Sequence, residues 1–441
     1  MRSDLRPDET FGIINAINNT DKSMKTPLIF SSFAAIALAA VSTHAAIVPV
    51  APVGGEAVSR VPDTQKKVMD LPTLAERVAL FREDRENGGK VVRHDPLWRK
   101  AKPLTLSWRA TEGETGPWKI EIGKDAALLD AQVWYVGVKN VDPATGRETD
   151  RDIGGVGGEL VSYTVPRANL EVARDYYWRV SGLGKPQKGQ KKGPVVRSNT
   201  AAFATEDRAP RWIEIEGRVG NIRDFGGRRT EDGRRVRQGL AFRGQGLNDN
   251  SVTGETQGRN RLTVEDVKYF TRTLGIKTDL DLRSKGETAD LDESPLGPGV
   301  KLILRSSPCY RAAFNSEANR RTMAENVRVF CDRANYPIYF HCIGGADRTG
   351  TLAYVLQGVL GVPKRDIETD WESTFYPNIP DDIHGNEPDF WCRESHLTDG
   401  IGKYGEPGDT WQRRCELYLL DCGVTEEEIA RLREILLEPA R

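Results

Sequence analysis

One ten-residue run restricts the fold of this chain more than any other feature: His341-Cys342-Ile343-Gly344-Gly345-Ala346-Asp347-Arg348-Thr349-Gly350. Residues 336–340 before it have the composition of a short buried strand, and apolar residues after it recur at helical spacing from Leu352 to Leu360. The run is therefore predicted to join a strand end to a helix N-terminus. Backbone N–H groups and the helix dipole at such a place favour a bound anion.

Cys342 and Arg348 are the candidate reactive groups of this loop. A helix N-terminus and a nearby cation would lower the pKa of the Cys342 thiol, which is ordinarily about 8.5. The thiolate would attack phosphorus and form a phosphocysteine intermediate. The planar guanidinium of Arg348 would bind two phosphoryl oxygens and offset charge in the transition state. The pattern predicts cysteine-based phosphoryl transfer.

Other residues of the loop would support this chemistry. The Thr349 hydroxyl would hydrogen-bond the departing sulfur, and His341 would orient the loop rather than act as a base. Glycines let the backbone approach a phosphate without a Cβ in the way. The residues whose backbone would line the phosphate are Ile343, Gly344, Gly345 and Ala346.

The run resembles the signature of the cysteine-dependent protein tyrosine phosphatase superfamily. It is most similar to the bacterial tyrosine/lipid phosphatase branch, in which Asp stands directly before Arg, as Asp347 does here. Residues 220–227, 236–244 and 274–284 resemble further motifs of that branch in the same order. The resemblance covers about residues 212–441 and implies a phosphatase domain.

Four residues within those motifs are candidate supporting residues of the site: Arg223, Asp224, Asp281 and Arg283. Asp281 and Arg283 either contact substrate or form a structural ion pair at a strand end. Arg223 belongs to a group of arginines that either adds positive charge to the site or forms a solvated face: Arg223, Arg228, Arg229, Arg234 and Arg235.

The loop departs from the family pattern at Ala346, where related lipid phosphatases and many members of this branch carry Lys. Each absent cation removes a charge-assisted contact. The departure weakens the prediction of a highly charged inositol lipid as substrate.

The general acid is predicted to be Asp347. Many tyrosine phosphatases place this carboxylate on a mobile loop one strand before the signature, but the corresponding residues here, 304–311, contain none. The resembling branch uses the position of Asp347. The alternative is that Asp347 stabilises the loop through backbone N–H bonds, in which case Asp370 and Asp281 are the next candidates.

The fold class predicted for the chain is multidomain, with an all-β sandwich followed by a three-layer α/β phosphatase domain. Apolar and polar residues alternate in several segments of residues 101–206, which predicts β-strands. This region resembles a fibronectin type III domain, with residues 175–180 similar to its tyrosine corner. Trp108 and Trp178 are expected in its core. Residues 47–100 are predicted to be a linker and helical segment, with a capping box at Thr73–Glu76.

The catalytic part is assigned to residues 212–441. Its predicted strands, in a largely parallel sheet, are Lys277–Leu282, Val300–Leu304 and Ile338–His341. Its predicted helices are Val264–Leu274, Ser316–Arg333, Thr349–Leu360 and Glu426–Leu437.

Residues 24–46 are predicted to be a signal peptide. Met24-Lys25 precedes an apolar run from Leu28 to Val41 and small residues at 42–46. The alternative, a membrane anchor, is disfavoured because the run is shorter than the roughly 18–20 residues of a span. The polar residues 1–23 suggest that translation begins at Met24. The mature protein is predicted to be exported, either periplasmic or secreted, with no stable membrane span.

Composition limits the partners. The formal net charge of −1 gives no general attraction to nucleic acid. The six cysteines show no zinc-ligand spacing, so neither a metal nor another cofactor is predicted, and disulfides among Cys392, Cys415 and Cys422 remain open. The expected partner is a phosphorylated protein or a small phosphomonoester. The β-sandwich is a candidate surface for protein or carbohydrate.

Two classes of function remain. The first is an exported phosphatase acting on phosphotyrosine or another phosphomonoester, with inositol phosphates or phosphoinositides as the alternative substrates. The second is a binding or adhesion protein that only captures phosphorylated ligands. Cys342, Asp347 and Arg348 favour the enzyme, because a binder needs no nucleophile.

Overall fold

The computed structural model describes residues 47–88, 95–97, 99–137, 160–250, 257–374 and 394–440. The predicted signal peptide at 24–46 and Cys392 lie outside these ranges. Within them, no helix combines the length and the apolar character that crossing a bilayer requires.

The first part of the described chain consists mainly of β-strands. They are β1 (Ile47–Ala51), β2 (Glu56–Val58), β3 (Leu104–Ala110), β4 (Thr115–Gly123), β5 (Gln132–Val136), β6 (Leu160–Val165), β7 (Asp175–Leu183), β8 (Val195–Arg197) and β9 (Ala201–Thr205). One sheet has the order β1-β3-β6, and a second has the order β2-β9-β7-β4-β5 with β8 beside β7. Both sheets contribute to one hydrophobic core.

The alternation of residues along these strands sets that core. The side chains of Leu104, Leu106 and Trp108 on β3 point inward, and Trp108 and Trp178 are fully buried, as predicted. The buried Tyr176 hydroxyl accepts a hydrogen bond from the backbone N–H of Glu171 at 2.8 Å. This bond fixes the corner that leads into β7.

Two helices lie between the second and third strands: α1 (Asp63–Asp70) and α2 (Leu74–Glu86). The predicted capping box is present, because the Thr73 hydroxyl accepts from the N–H of Glu76 and the Glu76 carboxylate accepts from the N–H of Thr73. In α1, Gln65 accepts a hydrogen bond from the Trp212 indole at 2.8 Å. The segment therefore contacts the part of the chain that follows the β-sheets.

The second part is built on a five-stranded sheet with the order β10-β11-β14-β12-β13. Its strands are β10 (Arg223–Asp224), β11 (Ala241–Gln245), β12 (Thr278–Asp281), β13 (Lys301–Leu304) and β14 (Ile338–Cys342). All neighbours run parallel except β10 and β11. The prediction of a largely parallel sheet is confirmed.

Eight α-helices follow in the described ranges: α3 (Val264–Lys268), α4 (Ala312–Asn315), α5 (Glu317–Phe330), α6 (Asp347–Leu360), α7 (Lys364–Ser373), α8 (Glu394–Ile401), α9 (Trp411–Asp421) and α10 (Glu426–Leu436). The helix predicted at Val264–Leu274 is α-helical only as far as Lys268. After α3, residues 269–273 form a π-helical turn in which the Leu274 N–H donates to the Tyr269 carbonyl. Thr263 and Thr425 form capping boxes at the starts of α3 and α10.

Strand β14 separates two hydrophobic clusters. Ile338, Phe340 and Cys342 point toward a core formed with α5, α6, α9 and α10, whereas Tyr339 points to a second cluster that includes Phe270. Helices therefore cover both faces of the sheet. Because β14 ends at Cys342 and α6 begins at Asp347, the predicted strand–loop–helix is confirmed.

No disulfide forms among the cysteines that the structure describes. Cys415 and Cys422 are both buried thiols, and burial raises the pKa of each. They pack as small apolar side chains in the core around α9.

Candidate active site

The signature loop, defined here as residues 342–348, leaves β14 beneath the N-terminus of α6. The Cys342 residue is 1% exposed. Gly345 has a positive φ of 66°, and a Cβ at this position would lie 2.3 Å from the Gly244 carbonyl oxygen. Glycine is therefore required at Gly345 both by its backbone conformation and by its close approach to β11.

The loop favours the thiolate of Cys342. Burial alone would raise the pKa of this thiol, but the surrounding groups together outweigh this effect, first among them the Thr349 hydroxyl and backbone N–H. The charge of Arg348 and the N–H of Gly345 act in the same direction. The pKa of Cys342 is lowered, which makes the thiol a stronger candidate nucleophile at neutral pH.

Two side chains outside the loop bind its carbonyl groups. The Asn221 amide nitrogen lies 3.2 Å from each carbonyl oxygen of Gly344 and Gly345, and Arg243 donates to the Gly345 oxygen at 2.9 Å. In a planar trans peptide the C=O and the next N–H point in opposite directions. Holding these carbonyls on one side therefore directs the N–H groups of Gly345 and Ala346 to the other side.

Asp370 gathers the arginines that support this arrangement. The Asp370 cluster comprises Asp370, Arg223, Arg228 and Arg243, with charged-group distances of 2.8 to 2.9 Å and side chains no more than 4% exposed. Arg223 also donates to the Asn221 side-chain oxygen at 2.6 Å. Burial alone would raise the pKa of Asp370, but the three arginines lower it strongly.

The five arginines that the sequence analysis grouped together have different environments in the structure. Arg223 and Arg228 lie inside the Asp370 cluster, and Arg235 is buried against Asp207 and the Gly227 carbonyl. Arg229 and Arg234 form ion pairs at the surface. Of the five, only Arg229 and Arg234 therefore fit the alternative in which these arginines form a solvated face. Asp224 pairs with Arg211 at 2.8 Å and accepts the N–H groups of Gly226 and Gly239, so it organises its own turn.

His341 lies in a buried charge group on the other side of the loop. Its Nε2 is 2.9 Å from Asp279, and its Nδ1 is 3.7 Å from Asp281. Burial alone would lower the pKa of His341, but the two carboxylates raise it. Asp281 also forms an ion pair with Arg283 at 2.6 Å, and Arg283 reaches the Asn248 side chain. These contacts match the alternative in which Asp281 and Arg283 form a structural ion pair at the end of a strand.

Arg348 is oriented by a carboxylate that sequence reasoning did not select. Its two terminal nitrogens lie 2.6 and 2.9 Å from the two oxygens of Glu287. Glu287 is itself fixed by Ser284, whose backbone N–H and hydroxyl donate to it at 2.8 and 2.6 Å. The signal for this residue was the Ser284–Glu287 capping-box spacing, directly after Arg283.

We expect Glu287→Gln to lower kcat/KM for an aryl phosphate by about tenfold, because a neutral amide cannot hold the guanidinium bidentately. The Arg348 hydrogen bond is the main cause that lowers the pKa of Glu287 to about 2. The ion pair should therefore persist until the pH falls to that value, and Glu287 should add no limb to the pH profile between 4 and 8. The control is Glu317→Gln, which alters an exposed pair with Arg321. Equal kinetics in both variants would contradict an orienting role.

The other residues of the loop lie between the end of β14 and the first turn of α6. Asp347 is half-buried in the first turn of α6, and Thr349 is buried beside Cys342. The Ile343 carbonyl accepts from the Gly246 N–H, and Ala346 precedes α6 as its N-cap residue. Among the described residues, no group of three or more His, Cys, Asp or Glu side chains is arranged to hold a metal ion.

Comparison with known proteins agrees with this geometry. Residues 213–382 match the family model described as the tyrosine phosphatase family. The chain is a protein-tyrosine-phosphatase-like phosphoric monoester hydrolase. This phosphatase is 28% identical over 198 residues to a protein of Cupriavidus necator that is provisionally named a tyrosine-protein phosphatase, covering 38% of this chain and 67% of the relative.

A solved structure is also similar to part of the phosphatase. It is the core catalytic domain of the PP-IP phosphatase SIW14 from S. cerevisiae in complex with citrate, with 19% identity and a TM-score of 0.22. The match covers 32% of this chain and 80% of that chain.

Proposed function

We propose that this chain is an exported phosphatase that hydrolyses phosphomonoesters, phosphotyrosine foremost, through a phosphocysteine intermediate. The observation that carries the proposal is the lowered pKa of Cys342 in a loop whose carbonyls are bound on one side by Asn221 and Arg243. A nucleophile and oriented N–H groups then face the same space.

The proposed reaction has two steps. The Cys342 thiolate attacks phosphorus, the sulfur–phosphorus bond forms, and the bond to the leaving oxygen breaks as Asp347 gives that oxygen a proton. Water then attacks the phosphocysteine, Asp347 takes a proton from the water, and inorganic phosphate and the thiolate are released. Arg348, oriented by Glu287, neutralises the phosphoryl oxygens in both steps.

Asp347 is the proposed acid because it lies in the signature loop directly before Arg348, the position that the resembling branch uses, and the contacts of the other two candidates argue against them. Asp370 contacts three arginines, and Asp281 contacts His341 and Arg283. Despite the opposing effect of burial, these charges lower the pKa of both carboxyl groups. A lowered pKa makes each of these carboxyl groups a poorer proton donor than an ordinary aspartic acid.

The experiment that tests this function is phosphate release from phosphotyrosine peptide, phosphoserine peptide, inositol phosphates and phosphoinositides. We expect the phosphotyrosine peptide to have the highest kcat/KM. Acid quenching during turnover should trap phosphate on Cys342, and Cys342→Ser serves as the blank. Binding of phosphorylated ligands without any release would favour the alternative of a binding or adhesion protein.

Ala346 gives a test of substrate class. We expect Ala346→Lys to raise kcat/KM for a phosphoinositide relative to phosphotyrosine peptide by about tenfold, because a cation at the helix N-cap adds a charge-assisted contact. Ala346→Gln is the control of similar length without charge. If wild type already prefers the inositol substrates and Lys changes nothing, the alternative substrate class is favoured.

Export and the fibronectin type III-like domain are parts of the same proposal. Support for the domain comes from two sheets around one core and from the Tyr176 hydrogen bond at the entry to β7. Support for export comes from the composition of residues 24–46. N-terminal sequencing of the protein recovered outside the cytoplasm should begin near Ala45 or Ala46, and an intact residue 24 would contradict cleavage.

A further inference from the structure

Helix α7 carries two buried carboxylates whose partners come from different parts of the chain. Asp370 belongs to the Asp370 cluster, whose arginines reach the signature loop. Glu372, two residues later, is bound by Arg77 of α2, which lies between β2 and β3 in sequence. The helix is therefore fixed between the phosphatase sheet and the helical segment that connects β2 to β3.

Arg77 and Glu372 form a buried ion pair with one hydrogen bond. Arg77 Nε lies 2.6 Å from Oε2, and Nη2 lies 2.8 Å from Oε1. The two side chains are 1% and 0% exposed. A buried carboxylate needs such a partner because desolvation is otherwise uncompensated. The pair fixes one side of α7 against α2.

Arg99 makes a second contact at the end of the same helix. Its guanidinium donates to the carbonyl oxygen of Thr374, the residue that caps α7. Helix C-terminal carbonyls carry partial negative charge, so a cation suits this place. The Thr374 hydroxyl in turn accepts from Arg223 at 2.8 Å.

A continuous series of contacts thus runs from this segment to the loop. Arg99 contacts Thr374, Thr374 contacts Arg223, and Arg223 contacts Asn221, which binds the carbonyls of Gly344 and Gly345. A parallel series runs through α7 itself, because Asp370 holds Arg243 and Arg243 binds Gly345.

We propose that Arg77 and Arg99 are positioning residues of the active site, which set the signature loop for phosphate binding through α7. The inference rests on the proposed function, since the loop is taken as the phosphate site. It makes α2 and Arg99 part of the catalytic unit, so catalytic competence does not reside in residues 212–441 alone.

The test uses the full chain with Arg99→Gln and Arg77→Lys, and with the exposed neighbours Lys100→Gln and Arg82→Gln as matched controls. Arg99→Gln removes only the cation at the Thr374 carbonyl. This variant should therefore fold even if variants of the Arg77–Glu372 pair fail to fold. Inorganic phosphate is the probe, and its binding is measured as protection of Cys342 from iodoacetamide. Turnover is measured in parallel with an aryl phosphate, and folding by circular dichroism and Tm.

We expect Arg99→Gln to weaken phosphate protection by about tenfold and to lower kcat by roughly ten- to a hundredfold, since small misplacements of catalytic groups cost this much. Arg99→Lys should restore most of both. A purely structural role would lower Tm and leave phosphate protection at the value of Lys100→Gln, and that result overturns the inference. If wild type hydrolyses no phosphomonoester while phosphate protection still depends on Arg99, the proposed function fails and the positioning role stands.

Discussion

We expect Cys342→Ser to lower kcat for phosphomonoester hydrolysis by at least about 10⁴-fold, because it removes the nucleophile. A serine hydroxyl in the same loop lacks the pKa that allows ionisation at neutral pH. The buried position and the loop contacts of Cys342 leave room for the smaller oxygen atom. Phosphorylated substrate should still bind, so the loss should fall on kcat and not on affinity.

The lowered pKa of Cys342 supplies an independent measurement. The thiolate fraction rises as pH increases through the pKa, so iodoacetamide should inactivate the enzyme at a pH below that at which ordinary thiols react. Cys422→Ser is the control, because burial raises the pKa of Cys422 and the residue packs away from the loop. Full activity in Cys342→Ser, or labelling of Cys342 only at alkaline pH, would contradict the phosphocysteine mechanism.

The second large effect is expected for Asp347→Asn, which should slow hydrolysis of phosphotyrosine by about 10²–10⁴-fold. An activated aryl phosphate should slow far less, because its leaving group needs no proton. Asp347 lies in the first turn of α6 directly before Arg348. An amide at this position preserves the shape of the loop but cannot donate a carboxylic proton.

The pH profile separates a general acid from a structural carboxylate. An acid must be protonated, so kcat/KM of wild type should fall on the basic side as Asp347 ionises, and Asp347→Asn should flatten that limb. The exposed Asp292→Asn is the control. If both substrates slow equally and the profile keeps its shape, Asp347 stabilises the loop and the acid lies elsewhere.

Local sequence patterns were sufficient to predict the framework of the site. The apolar patterns on either side of Cys342 predicted a strand and a helix, and β14 and α6 occupy these places. Both signals are local: alternation along a strand and periodicity along a helix depend only on neighbouring residues. The same holds for the caps at Thr73, Thr263 and Thr425, because a capping box joins residues three apart.

The contacts that orient the loop were decided by the tertiary structure. Asn221, Arg243 and Asp370 are separated from the signature loop by tens of residues or more, and Arg77 and Glu372 are 295 residues apart. No periodicity links such positions. Arg223 looked as suited to a solvated face as to the site, because sequence does not show where a charged side chain finds its partner.

The electrostatics of the site also depend partly on the sequence and partly on the fold. The sequence identified Cys342, Arg348 and Asp347 as titratable or charged groups around one loop. Their behaviour depends on burial and on the distance to partners, which only the folded chain fixes. Glu287 shows this most clearly: it is an ordinary capping residue in the sequence, and the fold brings it within 2.6 Å of the guanidinium of Arg348.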